Sequence, residues 1–293
     1  MLKAVKPEVI AEGHAKMLLS GKSGVGKTFF ALDWPTPYYI DSEGGAIRPE
    51  YRKKLAASGG VYFGKEQGSQ DFGAVINELT TLATTKHDFK TLILDSFSAL
   101  YLRAAALAEE KVGSDFGKDK KEANRPTRQL MRWIDTIKMN VLLICHTKDK
   151  WERRRGAELS YAGTTFDGYD KLEYILDLWI ELEKEGRNRT FLVKKSRIAS
   201  LPQDDRFPLD FKKFAEIYGR EKIESESTPI VMASPEQVAR VKHLLEVVKI
   251  NQSDVDSWLS KADVDDWSEM TSETIGKCIS FIEKKLTPAA AGK

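Results

Sequence analysis

The chain is poor in cysteine, in charge of one sign and in long apolar runs. Only Cys145 and Cys278 occur among 293 residues, so neither a disulfide framework nor a multi-cysteine zinc site can be built from this chain alone. Lys and Arg number 46 against 44 Asp and Glu, a net charge of +2. That balance excludes a globally basic nucleic-acid binder and leaves room for a locally basic one. No stretch approaches about 18 uncharged apolar residues, so no membrane span is expected. The first 20 residues carry scattered charges and no long apolar segment, so no signal peptide is expected either. The reading is a cytoplasmic protein with no membrane partner. What is present is globular material: 41% hydrophobic residues, ample for a buried core in one large domain or a large and a small one.

Two regions differ in texture. Up to about residue 228, short apolar runs alternate with longer helical patterns. The runs at 15–20, 37–41, 91–95, 140–146, 178–182 and 190–194 have the length of buried strands and mostly end in a polar residue. Helical patterns fall at 27–33, 71–84, 125–139 and 168–176. Strands alternating with helices predict an α/β fold with a mostly parallel sheet covered on both faces. Residues 229–235 read as a linker, with Pro229, Pro235 and small residues between them. Ser234 followed by Pro235 reads as a helix start. Residues 236–288 then show three cap-then-apolar patterns, a small helical unit, and 289–293 read as a tail.

Gly21-Lys22-Ser23-Gly24-Val25-Gly26-Lys27-Thr28 fits the phosphate-loop pattern G-x-x-x-x-G-K-[ST] without a mismatch. Triphosphate oxygens need many donors at short range, and a glycine-rich turn lets successive backbone N–H groups point inward. In such a loop Lys27 reaches the β- and γ-phosphates of ATP and the Thr28 hydroxyl ligates Mg²⁺. The run Thr91-Leu92-Ile93-Leu94-Asp95 ends in an acid, placed as a strand-end carboxylate that can hold a water on Mg²⁺. Glu43 follows another strand, beside Gly44 and Gly45. It is placed either to orient an attacking water or to serve as a solvated loop acid.

Together these segments resemble the RecA/Rad-type recombinase core. The phosphate loop, Tyr39-Ile40-Asp41-Ser42-Glu43-Gly44, Ile47-Arg48-Pro49-Glu50 and Asp95-Ser96-Phe97-Ser98-Ala99-Leu100 carry the likeness, over roughly residues 14–215. Overall it is most similar to the short RecA-like ATPases of bacteriophages, grouped with single-strand annealing proteins. The resemblance implies a RecA-like P-loop NTPase core and makes Glu43 the catalytic glutamate. His146 sits where that family carries a γ-phosphate sensor, usually Gln, so the histidine is a departure; a neutral core histidine is the alternative. Val193-Lys194-Lys195-Ser196-Arg197 is similar to the segment whose basic pair reaches a neighbouring subunit's ATP. That likeness implies trans-acting Lys195 and Arg197 and a homo-oligomer, filament or ring. Alternation at i and i+2 also suits plain outward-facing strand residues.

Two segments are basic and badly patterned for core. Residues 111–128 hold Lys118, Lys120, Lys121 and Arg125; residues 148–165 hold Lys148, Lys150, Arg153, Arg154 and Arg155. Both are expected as mobile loops, where RecA-like proteins bind DNA, and Trp151 adds a stacking face suited to single-stranded DNA. The plain alternative is solvated surface. The expected function is an ATP-dependent, single-strand-DNA-binding recombination protein, a DNA-stimulated ATPase promoting annealing or exchange. The small helical unit would dock a single-strand binding protein or another recombination partner, or cap the fold. A hexameric helicase-like motor, a P-loop small-molecule kinase and a nucleotide-switched regulatory module are the rivals.

Overall fold

A parallel strand covered on both faces needs apolar side chains at nearly every position, and that demand shapes the centre of the molecule. The computed structural model describes residues 13–113, 118–153, 158–262 and 264–286. The first half runs β1 (Lys16–Gly21), α1 (Lys27–Ala31), β2 (Pro37–Asp41), α2 (Pro49–Ala57), β3 (Val61–Phe63), α3 (Phe72–Thr84), β4 (Thr91–Asp95), α4 (Phe97–Val112), α5 (Lys118–Thr136) and β5 (Asn140–Arg153). Next come β6 (Leu159–Phe166), α6 (Leu172–Ile175), β7 (Leu178–Glu185), β8 (Asn188–Ser196), β9 (Arg206–Pro208), α7 (Phe211–Tyr218) and α8 (Arg220–Ile223). The described helices end with α9 (Pro235–Val247), α10 (Gln252–Lys261) and α11 (Ser272–Leu286).

The strands order as β3-β2-β4-β5-β1-β7-β8-β9, with β6 paired to β5 off that path. From β3 to β7 every neighbouring pair on the path is parallel, while β8 and β9 run antiparallel. Met17, Leu18 and Leu19 of β1 are fully buried, as are Val141 to Ile144 of β5. Beneath the sheet, Phe30 of α1 meets Phe214 of α7 edge-on at 5.6 Å, and Trp34 lies 5.8 Å from the same ring. These contacts fix α1, and with it the loop that precedes it. Asn140 is buried yet satisfied. Its Oδ1 accepts from the Ala15 amide at 2.9 Å and its Nδ2 donates to the Ile223 carbonyl at 2.8 Å.

Contacts divide the chain into two compact units with a boundary between Thr228 and Pro229, residues Thr81–Thr85 counting with the second. In the second unit Val241, Leu244, Val255, Trp267, Met270, Ile275 and Ile282 form a small core. Ser234 and Gln237 form a reciprocal capping box at the start of α9, with Pro235 in its first turn. No described helix is long and apolar enough to cross a membrane.

The mostly parallel α/β architecture expected from the sequence is present, but both supposed basic loops have regular structure. Lys118, Lys120, Lys121 and Arg125 belong to helix α5, which begins seven residues earlier than the pattern at 125–139 suggested and carries Pro126 inside it. Its first half is rich in residues that favour helix without an apolar stripe, and the stripe starts only near Leu130. Residues 148–153 and 159–165 pair as the two strands of a ribbon: β5 continues to Arg153 and pairs antiparallel with β6. This ribbon is largely exposed, so no buried face marks it in the sequence; ladder bonds and cross-strand pairs hold it instead. Arg154 and Arg155 lie outside the described residues, as do the side chains of Lys118, Lys120, Lys121, Arg125 and Arg153. The helical pattern at 168–176 shrinks to the single turn of α6.

Lys16, at the head of β1, supplies a stability prediction. Its ammonium donates to the Ile137 and Met139 carbonyls at 2.7 and 3.1 Å. Desolvation pushes it from an ordinary 10.5 down to about 7. Between those values the unfolded chain binds more protons than the folded one, so stability rises as pH rises through that window. Thermal melts from pH 7 to 10 should show this rise in the parent protein, and Lys16→Met should flatten it.

Candidate active site

The loop between β1 and α1 is shaped by its glycines. A side chain on Gly21 would start 2.8 Å from the Leu182 carbonyl of β7, so the strand end tolerates glycine alone. Gly26 has φ +109, in the region L side chains avoid, and turns the loop into α1. Between them lie Lys22, Ser23, Gly24 and Val25, with Lys27 and Thr28 opening the helix. The Lys27 ammonium donates to the Gly21 and Lys22 carbonyls at 2.6 and 3.0 Å. Burial pushes its pKa down, opposed by the carboxylates of Asp95 and Glu43.

The Thr28 hydroxyl donates to Asp95 Oδ2 at 2.5 Å, and the Tyr39 hydroxyl reaches the same oxygen at 3.1 Å. Asp95 is buried, and desolvation pushes its carboxyl up to about 6 even though both hydroxyls favour the ionised form. A hydroxyl and a buried carboxylate converging this way form a hard oxygen pair, which suits Mg²⁺ with phosphate and water completing its shell. The residues present therefore fit the ion.

Asp41, at the end of β2, organises the next turn. Its Oδ1 accepts from the amides of Glu43, Gly44 and Gly45 at 3.2, 2.8 and 2.9 Å. This carboxylate-centred turn fixes the backbone that presents Glu43. Ser42 ties β2 to β4. Its amide donates to the Asp95 carbonyl at 2.8 Å, and its hydroxyl bonds both the Ser96 carbonyl and the Ser96 amide, at 2.8 and 2.9 Å. Glu43 Oε1 accepts from the Ser96 hydroxyl and lies 2.8 Å from His146 Nε2. His146 is held in turn: its amide donates to Ser98 Oγ at 2.9 Å, and its carbonyl accepts from the Asp167 amide at 2.7 Å. Ser98 Oγ also donates to the Asp167 carbonyl.

Lys27, Thr28, Asp95, Glu43 and His146 line one cleft of about 660 Å³. Distant segments converge there because β4 and β5 bring Asp95 and His146 to the same end of the sheet as the glycine loop. Sequence reasoning missed Tyr39, Asp41, Arg48, Tyr51, Arg189 and Phe211, which shape or line this cleft. Asp41 had a signal, an acid two residues ahead of Glu43 and followed by glycines. Arg189 and Phe211 had none, because only tertiary folding brings them in.

Lys195 and Arg197 stand elsewhere. Lys195 pairs in register with Trp179, which aligns with Leu18 rather than Gly21. The offset is roughly 10 Å along the strands, toward the opposite end of the sheet. Lys195 donates to the Leu176 carbonyl, and Arg197 bonds Asp177 at 3.3 Å and the Tyr174 carbonyl at 2.6 Å. Neither lines the cleft. In the hairpin, Lys148 pairs with Asp167 at 3.1 Å and Lys150 with Glu152 at 2.7 Å. Trp151 and Tyr161 sit opposite each other, ring centroids 5.7 Å apart and edge-on, each 55% exposed.

A glycine loop between strand and helix, its lysine, and a threonine hydroxyl joined to a strand-end aspartate define a P-loop NTPase. Residues 14–208 match the AAA domain family (AAA_24), more than half of the chain, and the protein belongs to that family. No curated protein matches the sequence. Among solved structures, the chain is similar to one described as the RadB recombinase, at 17% identity and a TM-score of 0.43, with 66% of this chain and 87% of that chain covered.

Proposed function

We propose that the protein is an ATPase that grips single-stranded DNA and promotes strand annealing or exchange, as the phage-type RecA-like proteins it resembles do. One observation carries this reading: β5 is a single strand that leaves the cleft at His146 and continues into the exposed hairpin bearing Lys148, Lys150 and Trp151. A change at the terminal phosphate and a change at the hairpin would thus share one rigid element.

In this reading Gly21–Thr28 binds the polyphosphate of ATP, and Thr28 and Asp95 hold Mg²⁺. The ion, when bound, neutralises phosphate charge. Glu43 accepts the proton of the attacking water. Ser96 and His146 fix the orientation of its carboxylate, and His146 is the group placed to sense the terminal phosphate. Trp151 and Tyr161 offer faces for unpaired bases, and Lys148 and Lys150 supply phosphate contacts. Their ion pairs with Asp167 and Glu152 are solvent-screened surface pairs, so DNA phosphates can displace them. The helix bearing Lys118, Lys120, Lys121 and Arg125 would add to the basic surface. Lys195 and Arg197, remote from this subunit's cleft, can serve ATP only across a subunit boundary, which would require a filament or ring. The C-terminal helical unit is the candidate dock for a single-strand binding protein or other recombination partner.

Equilibrium binding of a fluorescent oligothymidylate tests the reading. Affinity should be higher with a non-hydrolysable ATP analogue than with ADP, should fall steeply with salt, and should exceed affinity for duplex of equal length. Equal affinity in both nucleotide states would overturn the coupling through β5.

A further inference from the structure

Arg189 approaches the phosphate loop from the side opposite Asp95 and Glu43. In the sheet, β4 and β2 lie on one side of β1, whereas β7 and β8 lie on the other. Asp95, Glu43 and His146 therefore stand toward the β5, β4 and β2 side, and Arg189, the second residue of β8, stands on the opposite side. Its side chain reaches back across β7 to the loop. Its Cδ and Nε atoms lie 3.6 and 3.7 Å from where a Cβ on Gly26 would sit. Its carbonyl accepts from the Leu209 amide at 3.0 Å, and the Leu209 side chain lies 3.6 Å from the same point over Gly26. Nearby arginines are engaged elsewhere: Arg206 pairs with Glu183 at 3.1 Å and Arg197 with Asp177 at 3.3 Å. Among the described residues Arg189 has no such carboxylate partner, although it lines the cleft.

We propose that Arg189 binds the sugar-proximal phosphate of a nucleoside di- or triphosphate held in its own subunit. The inference rests on the nucleotide-binding reading of Gly21–Thr28. The direction of the bound chain follows from the chemistry across the loop. Hydrolysis occurs at the terminal phosphate, so that phosphate must lie by Glu43 and His146, which turns the sugar-proximal end toward β8. The distal phosphates already have the loop amides and Lys27. A guanidinium on the other flank gives the remaining phosphate charge-assisted, fork-shaped donors. Arg189 is therefore a nucleotide-affinity residue acting within the subunit, separate in place and role from Lys195 and Arg197.

Calorimetric titration of the full chain with ADP, with a non-hydrolysable ATP analogue and with inorganic pyrophosphate, each with Mg²⁺, tests this. Arg189→Ala should weaken both nucleotides by the same factor, on the order of 10- to 100-fold for a lost charged hydrogen-bond pair. Pyrophosphate, which takes the distal positions, should bind as it does to the parent protein. In turnover the loss should appear in KM for ATP far more than in kcat, and Arg189→Lys should recover part of it. Unchanged nucleotide affinity in Arg189→Ala would overturn the proposal, as would an equal loss for pyrophosphate. If the parent protein binds none of the three ligands, and Lys27→Ala makes no difference, the nucleotide reading itself fails. That outcome is distinct from a parent that binds and an Arg189 variant that binds equally well.

Discussion

Glu43→Gln should hydrolyse ATP about 10²- to 10⁴-fold more slowly than the parent protein while still binding it, the range set by loss of a positioned general base. The glutamine keeps an oxygen where Glu43 Oε1 accepts from Ser96 and meets His146, so the turn built on Asp41 should survive. What disappears is the carboxylate that takes the proton of water. The charge change has a second consequence. The Glu43 carboxylate helps hold the Asp95 carboxyl up, so its removal eases ionisation of Asp95 and should leave Mg-ATP affinity equal or slightly tighter. Single-turnover hydrolysis beside equilibrium binding of a fluorescent ATP analogue separates the two effects. Parent-like hydrolysis in Glu43→Gln would move the base to another residue. Loss of binding together with hydrolysis would mean that Glu43 supports the fold of the cleft.

Trp151→Ala and Tyr161→Ala should each weaken single-stranded DNA binding, with the double variant worst. A base stacked on an aromatic ring contributes about 1–3 kcal/mol, which corresponds to roughly 5- to 150-fold in affinity. The two rings touch edge-on across the hairpin at 5.7 Å, so each supports the other and the losses should not be additive. Leu is the informative replacement because it keeps apolar bulk without a flat face. If stacking is the source of affinity, Trp151→Leu should lose nearly as much as Trp151→Ala. A fluorescent oligonucleotide titrated at fixed salt gives the answer. Parent-like affinity in the double variant would remove the hairpin from the DNA surface and direct attention to α5.

The same hairpin shows how far the sequence could be read. β2 and β4 fall at 37–41 and 91–95 as expected, because strands buried on both faces must be continuously apolar and end where polarity returns. The glycine loop is legible for a related reason: its chemistry demands particular residues at fixed spacing. α2 and α4 escaped notice. α4 begins directly at the strand-end acid, with Ser96 capping it through the Ala99 amide at 3.1 Å, so its first turn was absorbed into the strand motif. β6 escaped because its ribbon has little buried face. The candidate site divides along the same line. Lys27 and Thr28 open a helix and Asp95 ends a strand, so local pattern located them; Glu43, two residues past β2, and His146, inside the long β5, took their expected roles from the family resemblance. Arg189 reaches Gly26 from two strands away, and nothing in its neighbours announces that path. Lys195 and Arg197 present a case of another kind. β8 runs antiparallel to β7 and carries Lys195, with Arg197 just past its end, away from their own loop, so any contact of theirs with ATP would lie across a subunit boundary.

The most direct test is steady-state ATP hydrolysis with and without single-stranded DNA, over a range of protein concentrations, with Lys27→Ala as the inactive reference. Specific activity should rise when DNA is added and rise again with protein concentration, because neighbouring subunits on one strand would complete each other's sites. A rate indifferent to both DNA and concentration would contradict the DNA-coupled reading and leave an isolated P-loop NTPase whose acceptor is a small molecule.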